Sequence, residues 1–234
     1  MLRAATLLIA ATFAAPAAAQ TITSAHYTEP TTRYPHGVLG DTLEWGALTL
    51  TLSDGSARHI RLPQTRVFED ITPRLSDIDG DGAPEVIAVE SDSARGARLA
   101  ILDENGLVAA TPFIGRRFRW LAPLGAADLD GDGAVEIAWI DRPHLAKTLR
   151  VWRYSGGRLV EVAQLPGLTA HRIGEPFISG GIRDCGDRPE IITADAGWTR
   201  VMATRLDGGR LVARPLGPLD PGRTTLHAAL ACRD

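Results

Sequence analysis

From residue 47 onward the chain is written in short runs of alternating apolar and polar positions, the period-two signature of half-buried strands. Ala97 to Val108 reads as strand, turn, strand around Asn105-Gly106. The same reading holds for Thr148 to Val160 around Gly156-Gly157 and for Arg200 to Val212 around Gly208-Gly209. A fourth copy lies upstream, Ala47 to Arg58, with its turn at Asp54-Gly55. Such dipeptides suit hairpins because their positive φ angles match the twist of the flanking strands. The turn glycines Gly55, Gly106, Gly157 and Gly209 recur at spacings of 51, 51 and 52 residues, so the chain is a repeat.

Each full unit holds four strands. The second unit has them near 68–76, 85–90, 97–103 and 107–113, the third near 119–127, 135–140, 148–154 and 158–164, and the fourth near 173–183, 189–194, 199–206 and 210–216. Four-stranded units of this length are blades of a β-propeller, which buries both faces of each blade against its neighbours. In the first unit Tyr34 to Leu39 fills the second-strand slot and Trp45 to Leu52 the third, with nothing in the first. Thr224 to Cys232 resembles Trp120 to Asp128, a first strand running into a loop. The expectation is an all-β fold, a small propeller of four blades whose first blade is completed by the C-terminal strand. Five blades, or an open stack, is the alternative.

Two acidic loops stand out at the same period, Asp77 to Glu85 and Asp128 to Glu136. Each places carboxylates at loop positions 1, 3, 5 and 9 and glycine at 4 and 6. Like charges this close repel unless a cation neutralises them, and calcium takes six to eight hard oxygen ligands. Asp77, Asp79, Asp81 and Glu85 are candidate ligands with the carbonyl of Ala83; Asp128, Asp130, Asp132 and Glu136 repeat the set with the carbonyl of Ala134. An EF-hand needs a glutamate at position 12, where this chain has Ala88 and Trp139, and a following helix, where Val86 and Ile137 begin strand-like runs. The fourth unit carries a worn copy, Ile182 to Glu190, with Arg183 and Arg188 as internal sources of positive charge, and no tight calcium is expected there.

The two loops, each followed by a strand in a blade-length repeat, resemble the FG-GAP/VCBS repeat family, which includes integrin α-subunit propellers and many exported bacterial proteins. The resemblance implies a calcium-binding propeller with ligands at the positions named above. Its functions range from adhesion to enzymes on carbohydrates and lipids, so it implies a scaffold and a metal rather than an activity.

The N-terminal end changes the setting. Met1-Leu2-Arg3 is a short basic start, Ala4 to Ala15 is apolar, and Ala17-Ala18-Ala19 is a small-residue cleavage site. Residues 1–19 read as a secretory leader, with an uncleaved anchor as the competing reading, and residues 20–234 as one propeller domain. The protein is then exported, periplasmic or secreted, and monomeric, with no further apolar run long enough to span a membrane. A formal charge of −3 offers no basic surface for nucleic acid. In an oxidising compartment the two cysteines, Cys185 and Cys232, read as a disulfide that fastens the closing strand; two separate buried thiols is the other reading.

Other polar groups are candidates for ligand contact. Arg117 and Arg119 share one face if 115–120 is a strand, and would meet an anion such as a polysaccharide or phosphate, or pair with neighbouring acids. His144, in a polar connection, and His171 with Glu175 offer proton-transfer groups, or simply solvated loops. His36 and His227 come close if the first blade closes as expected, which alone argues weakly for zinc. No nucleophile elbow, zinc-protease helix, phosphate loop or dinucleotide fingerprint is present. The chain reads as an exported, calcium-stabilised binding or assembly scaffold for an unknown protein or glycan. The alternative is a hydrolase or lyase on a carbohydrate or phosphoester, which a pocket gathering Arg, His and Glu would favour.

Overall fold

The computed structural model describes residues 20–233, so the expected leader at 1–19 lies outside the described residues. The protein is all-β apart from one short helix. In the first unit, β1 (Ile22–Thr31), β2 (Glu44–Leu52) and β3 (Ala57–Arg61) form an antiparallel meander. In the second, β4 (Arg66–Phe68) and β5 (Arg74–Ser76) lie on one edge of β6 (Glu85–Asp92), followed by β7 (Gly96–Asp103) and β8 (Gly106–Ala110). A bridge from Trp45 to Phe68 joins these two units into one sheet. The third unit is β9 (Leu121–Ala127), β10 (Glu136–Asp141), β11 (Thr148–Ser155) and β12 (Arg158–Pro166). The fourth has β13 (Leu168–Thr169) and β14 (Gly181–Arg183) along one edge of β15 (Glu190–Asp195), then β16 (Arg200–Asp207) and β17 (Arg210–Pro218).

The alternation seen in the sequence sorts the core. Along β6 and β7, Ile87, Val89, Leu99 and Ile101 join one apolar cluster with the third unit, while Val86, Ala88, Ala100 and Leu102 join another with Leu48, Leu50, Leu52 and Phe68 of the first two units. Adjacent strand residues point to opposite faces, so the second unit is buried on both sides. In the third unit the consecutive residues Ile137, Ala138, Trp139 and Ile140 all lie in the large cluster, which extends to Ile191 and Leu206 of the fourth. The units therefore stack face to face in chain order.

The start and end of the chain correct the sequence reading. Tyr34 to Leu39 is a turn-rich connection, because Pro35 lacks an N–H for a ladder and Gly37 sits at φ +69°. The strand beside β2 comes instead from Ile22–Thr31. The C-terminal segment is not a closing strand but helix α1 (Thr224–Leu230). Leu226, Ala229 and Leu230 recur at helical spacing in an alanine-rich run, and they cover Ile192, Val201 and Ala203 on the second face of the fourth unit. Asp220 receives the N–H groups of Thr224 (3.1 Å) and Thr225 (2.8 Å), which starts the helix. Cys185 and Cys232 are bonded as expected, but the bridge ties α1 to the loop between β14 and β15 rather than securing a closing strand.

Two interruptions position the polar residues discussed below. Between β4 and β5, where Pro73 removes a ladder donor, the chain leaves the sheet edge at residues 69–73. Between β13 and β14 it leaves again over residues 170–180, so of the strand expected near 173–183 only Gly181–Arg183 forms. Glu69 and His171 sit in these two breaks, and both are buried.

Candidate functional site

The acidic loops are near copies of each other in space. Gly80 and Gly131 both have φ +79°, and Gly82 and Gly133 both have φ +90°, angles that a side chain would strain. This backbone aims N–H groups at the first aspartate. Gly80 and Gly82 donate to the two carboxylate oxygens of Asp77 (2.8 and 3.0 Å), and Gly131 and Gly133 do the same for Asp128 (2.7 and 2.9 Å). The ninth residue opens the next strand and folds back, so Ile78 N–H donates to Glu85 and Leu129 N–H to Glu136, both at 2.9 Å.

As a result, one carboxylate oxygen from each of Asp77, Asp79 and Glu85 lies within 4.8 Å of the other two, and Asp128, Asp130 and Glu136 form a matching group. Ligands on one calcium sit about 2.3–2.6 Å from it, hence at most about 5 Å apart, so these donor sets fit such an ion. Asp81 and Asp132 stand outside the groups; each accepts the N–H of the alanine at position 7, Ala83 or Ala134 (2.8 and 2.9 Å).

The two loops differ in charge balance. Among the described residues no ion pair reaches Asp77, Asp79, Asp81 or Glu85, and burial, together with Asp79, Asp81 and Asp77, pushes the Glu85 carboxyl up. In the second loop Arg153 contacts Asp130 (3.1 Å), Asp132 (2.8 Å) and Glu136. Burial still raises Glu136, opposed by Leu129 N–H and Arg153. In the worn third copy Arg183, as expected, holds Glu190 (2.6 Å), but Arg188 reaches toward Asp207 (3.7 Å) instead. Arg205 (2.8 Å) and Arg214 (2.9 Å), which the loop pattern did not point to, complete the neutralisation. Burial pushes Glu190 up, yet these three guanidinium groups outweigh it and hold the carboxyl at about 2.

The remaining candidates gather at a second place. A cavity of about 280 Å³ is lined by His36, Arg119, Arg142 and His144, with Phe118 and Trp120 in its wall. His36 Nδ1 is bonded to the buried carboxylate of Glu69, whose other oxygen takes the Ser91 hydroxyl. His144 Nε2 meets His171 Nδ1 at 2.9 Å, and His171 Nε2 donates to the backbone carbonyl of Glu175 at 2.8 Å. The expected His171–Glu175 side-chain pair is thus replaced by a backbone contact, and the Glu175 carboxylate pairs with Arg223. Glu44 lies nearby, its carboxyl pushed up to about 10 by burial and by Glu69, Asp41 and Asp70.

Residues 115–120 are not a strand, and Phe118 has φ +57°, so Arg117 and Arg119 do not share a strand face. Arg117 stacks over the Phe118 ring at 4.4 Å, and Arg119 donates to Phe118 O at 2.8 Å. Neither forms an ion pair among the described residues. His227 is exposed on α1, and the candidate metal groups among the described residues include neither it nor His36.

Residues 77–139, from the first aspartate of the first acidic loop through the second loop to β10, match the family model of the FG-GAP-like repeat. The chain therefore carries this repeat. No curated protein matches it.

Proposed function

We propose that this chain, built on FG-GAP-like repeats, is an exported propeller-type stack of four blades whose two acidic loops take calcium and which serves as a binding or assembly scaffold. The observation that carries the reading is the convergence of three carboxylates in each of two loops with the same backbone angles. Bound calcium would supply the positive charge that the first loop lacks, and Asp77, Asp79 and Glu85, with their counterparts Asp128, Asp130 and Glu136, would hold it. Apolar contact between successive units supports the blade reading, and α1 covers the face that a further blade would otherwise cover, which favours an open stack over a closed ring. The disulfide supports an oxidising compartment, and no helix among the described residues is long and apolar enough to cross a membrane.

Chelation tests the metal. An ion at about 100 times its Kd stabilises the folded state by about 2.7 kcal/mol, or roughly 5–11 °C in melting temperature for a chain of this size. The melt is expected to fall by that order in chelator, and Asp79→Ala is expected to abolish part of the response. A melt that is identical with and without chelator counts against the reading.

The enzyme alternative draws on one observation, the pocket that gathers His36, Arg119, Arg142 and His144 in front of buried Glu69. The lining holds no serine, cysteine or free carboxylate to act as nucleophile. We therefore read the pocket as a binding site.

A further inference from the structure

The histidine pocket has three properties that together describe a ligand. The first is uncompensated positive charge. Arg119, which lines the pocket, has no carboxylate partner among the described residues, whereas Arg142 is held by Asp141 through two contacts at 2.8 and 2.9 Å. Among the described residues the only hydrogen bond of the Arg119 guanidinium goes to Phe118 O, so the rest of its donor fork is open to a ligand. A guanidinium with free donors in a partly enclosed site favours an oxyanion, because charge-assisted bonds are the strong ones.

The second property is a pair of oriented imidazoles. The Glu175 carbonyl only accepts, so His171 Nε2 carries the proton and its Nδ1 accepts in turn. His144 Nε2 must then donate to it, which leaves His144 Nδ1 unprotonated and without a partner among the described residues. His36 is fixed through Nδ1 by Glu69, which leaves its Nε2 as the unengaged ring nitrogen. Both rings are held from behind by buried groups, an arrangement that pre-organises polar contacts to a ligand.

The third is an apolar rim. Leu145 and Ile173, at 62 % and 72 % exposure the two most exposed large hydrophobic side chains among the described residues, both line this cavity. Exposed large aliphatic residues at the mouth of a polar pocket suit a ligand with an apolar body.

We propose that this pocket binds a small organic oxyanion, a carboxylate or phosphate carried on an aromatic or other apolar body, with Arg119 on the anion, His36 as an oriented hydrogen-bonding group beside it, His144 Nδ1 turned as an acceptor toward the ligand body rather than the anion, and Leu145 and Ile173 against the body. The proposal deepens the scaffold reading by naming what the scaffold holds. It is separable from the calcium assignment, which the melt in chelator tests.

The experiment is titration calorimetry on the folded chain in calcium buffer, with histidine-ring NMR as the second readout. The probes are benzoate, phenyl phosphate, phenol and inorganic phosphate. One saturable site is expected for benzoate or phenyl phosphate, at least about tenfold tighter than for phenol or inorganic phosphate, with shifts at His36 and His144; the better of the two anions identifies the head group. Arg119→Gln is expected to weaken that anion at least about tenfold, since a bond to a charged group carries this much. Ile173→Ser touches no core and is expected to weaken the aromatic anion while leaving inorganic phosphate unchanged. No saturation by either anion overturns the proposal. So does unchanged affinity in Arg119→Gln, or equal binding of phenyl phosphate and inorganic phosphate, which would mark an adventitious ion only.

Discussion

Arg153 reaches into the second acidic loop from the neighbouring strand, and replacing it tests whether an internal counter-ion and an external one compete there. Its guanidinium meets three carboxylates, Asp130, Asp132 and Glu136, of which Glu136 is fully buried. In Arg153→Gln these carboxylates lose their shared partner. Removing one side of a partly buried charged network costs about 2–3 kcal/mol. For a chain of this size that is roughly 4–12 °C in melting temperature. The loss is expected in full only in chelator. In calcium the loop freed of Arg153 binds the ion more tightly than the unmodified loop and gains more from it, so the gap between the variant and the unmodified chain should narrow. The assay is a paired calorimetric melt in chelator and in calcium, with the calcium isotherm measured by titration. The variant's second site should also bind more tightly, since the ion no longer competes with Arg153. Equal destabilisation in both buffers would refute the reasoning, because Arg153 would then be a permanent partner of a loop that takes no metal.

Acid should unfold the chain in two windows when melts are run in chelator. Burial, then His171 and His36, hold His144 down at about 4. The unfolded chain therefore takes the proton first, and stability that is whole above about pH 6.5 falls as pH drops toward 4; His144→Gln should flatten this window. Glu190 is depressed to about 2, so its contribution, on the order of 3 kcal/mol, is present above about pH 4.5 and lost as pH falls toward 2; Glu190→Gln should remove that second window. The Cys185–Cys232 bridge closes a separation of 47 residues, and Cys232→Ser is expected to cost about 4 kcal/mol in the chain-entropy estimate, read as a lower melt that reductant no longer changes. Two thiols titrating in the unreduced, denatured protein would contradict the bridge.

What could be read from the chain depended on whether a residue's role was local. The hairpins at Gly106, Gly157 and Gly209 and the acidic loops are specified by neighbours within a dozen residues, and the structure has them where the pattern placed them. At the C-terminal end the similarity of Thr224–Cys232 to Trp120–Asp128 competes with the helical spacing of Leu226, Ala229 and Leu230, and the helical spacing prevails because those residues cover the fourth unit. The pocket depends on contacts that sequence spacing does not report. His36 finds Glu69 across 33 residues and His144 finds His171 across 27, each through a break in a first strand. Pro73 and Pro176 marked those breaks in advance, since proline cannot continue a ladder. The arginines that neutralise the later loops were also legible in principle. Arg153 and Arg205 stand near the ends of third strands; Arg153 is directly across the ladder from Glu136, and Arg205 follows Thr204, the partner of Ile191, and pairs with Glu190.

That register turns three loops into a series. Glu190 is paired with Arg205, with Arg183 and Arg214 beside it, and the loop has lost its first and fifth acids. Opposite Glu136 is Arg153, with every acid retained. In the second unit the ladder starts at the Val86–Leu102 pair, with Glu85 opening β6 and Asp103 ending β7, so the corresponding strand end carries an acid and no cation. The same geometric demand, positive charge at the start of the second strand, is thus met wholly by side chains in the fourth unit and in part in the third, and it is left open in the second. If this is the governing balance, moving an arginine into the open position should substitute for the metal. In Asp103→Arg the new side chain starts from the last residue of β7, next to Leu102, the ladder partner of Val86. It forfeits the bonds from Asn105 N–H (2.7 Å) and Gly106 N–H (2.8 Å) that brace the turn, a cost of about 1–2 kcal/mol. The variant should therefore be slightly less stable than the unmodified chain in calcium, yet lose less on chelation, and titration should show the tighter of two calcium sites weakened. An unchanged tight site, with the same loss of melting temperature on chelation, would mean that charge across the ladder does not set the metal demand of these loops.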